Sequence, residues 1–79
     1  MPDIIYKLDE ILAELEVTAH KVSLVSGLRP NTVYNIYNDT GTSINKKNLA
    51  LILQAVNELA EEADIKKRYG IADLMEFIP

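Results

Sequence analysis

Asn31, Thr32 and Asn35 are hydrogen-bonding side chains gathered in five residues, and on a helix Asn31 and Asn35 stand one turn apart on one face. An Asn amide offers an acceptor and two donors in one plane. That geometry pairs two-pronged with adenine N6 and N7, and a Thr methyl can touch a thymine methyl. Arg29 and Pro30 stand at the N-terminal end of this face, with Tyr34 and Asn38 at its edges. The chemistry such residues offer is recognition rather than bond making. The plainer alternative is a solvated helix face.

Lys46 and Lys47 add a second, independent signal. They fall in the first turn of a helix capped by Asn45, where cations oppose the helix dipole and an acid would serve stability better. Two lysines beside exposed N–H groups suit an anion such as a phosphate. His20, the one histidine, has no carboxylate three or four residues on and the chain has no cysteine, so a metal site is not expected. No Ser/His/Asp spacing, glycine-rich phosphate loop or converging carboxylate pair stands out. Neither enzyme activity nor a cofactor is expected. Tyr6, Tyr34, Tyr37 and Tyr69 read as residues at the rim of a core, with hydroxyls reaching water.

The net charge of −4 is unfavourable for meeting a polyanion, but its distribution is uneven. Residues 17–50 hold Lys21, Arg29, Lys46 and Lys47 against Asp39 alone. The rest of the chain holds four basic and eleven acidic side chains, so the positive part coincides with the polar face described above. Lys66, Lys67 and Arg68 form another basic cluster, expected to pair with Glu61, Glu62 and Asp64 across one helical turn.

The elements that must position these residues follow from apolar spacing. Ile4, Ile5, Leu8, Ile11, Leu12 and Leu15 form a wide helical stripe, which predicts a first helix from about Asp3, its N-cap, to Leu15. Asp9, Glu10 and Glu14 make its wet side. Thr18 is a good cap for a second helix ending at Ser26. Hydrophobic staples mark three helix starts: Val17 with Val22, Leu28 with Val33, and Ile44 with Leu49. Gly27 suits a left-handed turn, and Pro30 a first helical position. The third helix should bury Val33, Ile36 and Tyr37, and the fourth Leu49, Ile52, Leu53, Val56 and Leu59. Residues 39–43 read as a polar loop. Glu61 to Gly70 either prolongs the fourth helix to Gly70 or forms a loop, and Ile71 to Ile78 reads as a last short helix.

Thr18 to Asn38, through Val22, Gly27, Leu28, Val33 and Ile36, resembles the helix-turn-helix of the Cro/repressor family of phage and bacterial transcription regulators, with the likeness covering about residues 5 to 60. The resemblance implies a compact all-α, λ-repressor-like bundle of four to five helices that binds double-stranded DNA through its third helix. In that family the start of the recognition helix and a position one turn later read bases, which implies Pro30, Asn31, Thr32 and Asn35. The residue after that helix, Asn38, and the following loop, Thr40 to Ser43, would hold phosphates. With Thr18, Arg29, Tyr34, Thr42, Lys46 and Lys47 these make the expected DNA-contact set. Two positions depart from the pattern: Ala19 stands where the family often has Gln, and Ser23 where a smaller Ala is common.

Seventy-nine residues make one domain, with no disulfide, no run approaching the ~20 apolar residues of a membrane span, and no signal-peptide pattern. A cytoplasmic location is expected, with no small-molecule ligand. The apolar segment Ile71 to Ile78 either mediates a homodimer or caps the monomer's own core. A protein-interaction module of antitoxin or anti-repressor type on the same scaffold is the rival reading, favoured by the acidic balance.

Overall fold

Ile4, Ile5 and Tyr6 are β-branched or aromatic and favour extended backbone whenever a partner strand is within reach. In the computed structural model, which describes residues 2–40 and 45–79, that partner is the C-terminus. Strand β1 (Asp3–Tyr6) pairs antiparallel with β2 (Met75–Ile78), Asp3 opposite Ile78 and Tyr6 opposite Met75. The Lys7 N–H extends the ladder by donating to the Leu74 carbonyl at 2.6 Å. Between the strands run α1 (Leu8–Leu15), α2 (Ala19–Ser26), α3 (Pro30–Tyr37), α4 (Lys46–Glu62) and α5 (Ile71–Leu74). The molecule is therefore mostly helical but not all-α. The first helix begins at Leu8 rather than Asp3, because cross-strand pairing with residues seventy positions away overrides the local helical stripe. Asp3 caps nothing helical; its carboxylate accepts from the Ile4 N–H. Likewise only Ile71–Leu74 of the last expected helix is helical.

The remaining boundaries follow local chemistry. Glu16 ends α1 in the left-handed conformation at φ 57°. Thr18 caps α2 by accepting from the Lys21 N–H at 3.1 Å, and Asn45 caps α4 by accepting from Asn48 at 2.8 Å. Val22 and Val33 lie in the core, and Val17 and Leu28 are partly buried against it. Ile44 of the third staple lies outside the described residues. Helix α4 stops at Glu62, and residues 63–70 form a loop in which Asp64 is left-handed and Ile65 turns back onto the core. Gly70, at φ −121°, leads into α5 rather than ending α4.

The core is one cluster: Leu8, Ile11, Leu12 and Leu15 of α1, Ala19 and Val22 of α2, Val33 and Ile36 of α3, and Ile52, Ala55, Val56, Leu59 and Ala60 of α4. Tyr69 and Leu74 close it from the C-terminal side. Leu49 and Leu53 only flank it, whereas Ala55 and Ala60 are buried beside Ile52, Val56 and Leu59. No helix among the described residues is long and apolar enough to cross a membrane.

Candidate nucleic-acid interface

Helices α2 and α3 pack together, and α4 packs on α2. Three residues, Gly27, Leu28 and Arg29, connect α2 to α3. Gly27 takes φ 78° and its N–H donates to the Ser23 carbonyl at 3.0 Å, closing α2 with a left-handed residue. Arg29 is extended at φ −66°, ψ 144°, which leaves Pro30 as the first residue of α3. Ser23, at the α2 position where Ala is common in the family it resembles, is 4% exposed. Its hydroxyl donates to the His20 carbonyl at 2.6 Å, so burying it leaves no polar group unpartnered.

Val33 and Ile36 anchor α3 in the core. Asn31, Tyr34, Asn35 and Asn38 are exposed and recur at helical spacing on the opposite side, while Thr32 lies half-buried on the flank. Tyr37, expected inside, is exposed instead: 36% of its surface meets solvent, because it lies beside the Val33–Ile36 stripe rather than on it. Arg29 and Pro30 are exposed at the start of α3, and Thr40 is exposed just beyond its end, its N–H donating to the Asn35 carbonyl at 2.9 Å. The candidates Pro30, Asn31, Tyr34, Asn35 and Asn38 thus form one surface stripe. Thr18 heads α2 and spends its side chain on capping; Lys46 and Lys47 are exposed in the first turn of α4. Thr42 lies outside the described residues.

The ion pairs among the described residues are Lys7–Glu76 at 3.9 Å and Lys67–Glu14 at 3.1 Å. Lys21, Arg29, Lys46 and Lys47 therefore have no carboxylate partner there. The expected pairing of Lys66, Lys67 and Arg68 with Glu61, Glu62 and Asp64 does not occur. The segment is a loop rather than a helix, so Lys67 reaches across to Glu14 on α1 and lies 5.0 Å from the Tyr69 ring centre.

A polar fastening at the other end of the molecule escaped the sequence reading. The Tyr69 hydroxyl donates to Glu14 at 2.7 Å. Burial, and then the Glu14 carboxylate, push the Tyr69 hydroxyl up to about 12, so it stays protonated. The hydrogen bond from Tyr69, reinforced by Lys67, holds the Glu14 carboxyl below its ordinary value. Glu14 is thus a structural partner rather than part of a purely wet face, and Tyr69 is buried with its hydroxyl bonded to protein. Asn57 is the second fastening: its amide donates to the Leu53 and Tyr69 carbonyls at 2.9 and 3.0 Å and accepts from the Tyr69 N–H at 2.7 Å. An Asn on the inner flank of α4, between Leu53 and Ala60, was the signal that could have found it. Among the described residues no group of His, Cys, Asp or Glu is placed to hold a metal ion.

No family model, curated protein or solved structure matches the chain.

Proposed function

We propose that the chain is a sequence-specific duplex DNA-binding protein of λ-repressor-like type, a prokaryotic or phage transcriptional regulator acting in the cytoplasm. The observation that carries this reading is the exposed stripe Asn31–Tyr34–Asn35–Asn38 on a helix seated by Val33 and Ile36 and oriented by the left-handed Gly27 turn. A major groove admits such a helix, and Asn amides supply the bidentate contact to adenine. The four unpartnered cations of α2, the turn and α4 supply the phosphate attraction, and the start of α4 beside Lys46 adds N–H donors. Four cations per domain make a modest electrostatic term, with a salt slope of about −3.6 if each neutralises one phosphate. Two copies on half-sites one helical turn apart would bring affinity into the specific range. Of the C-terminal apolar residues, Leu74 belongs to the core, while Ile71 stays exposed for such a contact.

Selection from a random duplex library, followed by affinity measurement against salt, tests this. A palindromic consensus with a negative salt slope is expected. No binding to any duplex at low salt would instead favour a protein-interaction module, a reading supported by the −4 net charge and by Leu24, 66% exposed on the outer side of α2.

A further inference from the structure

The outer edge of β1 borders an open groove of about 610 Å³, formed by Asp3, Ile4 and Tyr6, by Asp39 beyond α3, and by Met75 and Phe77 of β2. Its volume lies in the range of small-molecule sites. The antiparallel register fixes which backbone groups face it. Lys7 donates across the ladder to Leu74, so Ile4 and Tyr6, alternating with it, turn their N–H and C=O groups away from β2. Both of those N–H groups are already engaged: Ile4 with the Asp3 carboxylate at 2.8 Å, Tyr6 with the Asp39 carboxylate at 3.3 Å. What the edge still offers is acceptors, namely the Ile4 and Tyr6 carbonyls and the second oxygen of each carboxylate.

An incoming β-strand must both give and receive hydrogen bonds at alternate residues, and here it would find no donors. The occupant such an edge suits is a donor. Among the described residues the lining also contains two carboxylates and no basic side chain. The rest is apolar: Ile4 is 53% and Phe77 64% exposed, while Tyr6 and Met75 pack against the core at the inner end. An ammonium or guanidinium group can bond the acceptors and lie over an aromatic face, while an apolar body covers Ile4 and Phe77. We infer that this groove is a binding site for a small amphipathic organic cation, an arylalkyl ammonium or guanidinium. This does not rest on the DNA reading, although Asp39 lies between Asn38 and Thr40 of the expected DNA-contact set.

The test is a titration of the full chain with 2-phenylethylammonium, monitored by amide chemical shifts. The neutral 2-phenylethanol and the anionic 3-phenylpropionate serve as shape-matched controls. Saturable shifts at Tyr6, Asp39 and Phe77 are expected, with a dissociation constant on the order of 1 mM for so small a ligand. Both controls should bind at least about fivefold more weakly, the size of one charge pair near a surface. Asp39→Asn keeps an acceptor for the Tyr6 N–H but removes the charge; it should weaken the cation about fivefold and leave the alcohol unchanged. Equal affinity for all three compounds, or no saturable shift, overturns the inference. So does concentration-dependent movement of the same amides without ligand, which would give the groove to a second copy of the chain.

Discussion

Substituting Gly27 by Ala, Val and Asn in turn isolates the cost of the backbone conformation between α2 and α3. A Cβ at this position would meet no atom within 4 Å, so crowding contributes nothing. What remains is φ 78°, which an ordinary L residue holds at a cost of about 1–2 kcal/mol. Ala also restricts the unfolded chain relative to Gly, which returns roughly 0.4–1 kcal/mol. The net loss for Ala is therefore about 1 kcal/mol. Val, β-branched and poorly tolerated at positive φ, should lose about 2–3 kcal/mol, and Asn, which visits this region readily, only a few tenths. At about 4–8 °C per kcal/mol for a domain of this size, Ala should melt about 4–8 °C below the parent and Val at least about 8 °C below it. Asn should stay within about 3 °C. The assay is thermal denaturation followed by far-ultraviolet circular dichroism, all four proteins in one buffer. If Val melts with the parent, or Asn melts below Val, Gly27 does not hold a left-handed turn and α3 loses its orienting pivot.

Other outcomes follow from the same contacts. Lys46→Glu with Lys47→Glu should leave the melting point unchanged or raised, since acids suit the first turn of α4, while weakening all duplexes alike and flattening the salt slope by about 2. Unchanged affinity would remove these lysines from the interface. Asn35→Ala should keep the fold, since the side chain is exposed, and cost roughly 1–3 kcal/mol on the preferred site with little change on random DNA, measured at one salt concentration. Equal losses on both would make Asn35 a phosphate contact. Tyr69→Phe should lower stability by about 1 kcal/mol at neutral pH, read from denaturant unfolding. Because the folded Tyr69 is raised to about 12 from 10, the stability gap between parent and variant is full below pH 10 and closes as pH climbs toward 12. The gap also narrows as pH falls below about 4.5, where Glu14, lowered in the fold, takes up its proton.

The middle of the chain was legible because its signals are local. Caps, staples and the Gly27–Pro30 spacing act within five residues, so Thr18, Val22, Gly27, Pro30, Val33 and Asn45 occupy the positions their chemistry predicts. The ends were not legible for the opposite reason. Ile4, Ile5 and Leu8 are spaced for a helix, and only the arrival of Met75 to Ile78 makes a strand of Asp3–Tyr6; nothing near Ile4 announces that partner. Tyr37 failed on a finer point. It sits on the shoulder of the α3 stripe, where a helical period cannot say whether a neighbouring element reaches far enough to cover it. The stripe of Asn31, Asn35 and Asn38 could be placed from sequence because exposure follows directly from where Val33 and Ile36 are buried.

The terminal strands also bear on α3. Asp39, the second residue past that helix, is left-handed at φ 55°, and its carboxylate accepts from Tyr6 of β1 at 3.3 Å. The pairing of the two chain ends and the end of the exposed helix are thereby joined by one hydrogen bond spanning 33 residues of sequence. Such a bond adds only about 1 kcal/mol, but it is made in the folded state alone and fixes where the chain leaves α3. The sheet's outer edge and the C-terminal end of the asparagine stripe are in consequence parts of one hydrogen-bonded unit. A perturbation of β1 that breaks the Asp39 contact should reach Asn38 and Thr40 before it reaches Asn31, whose end of the helix is held independently by Gly27 and Pro30.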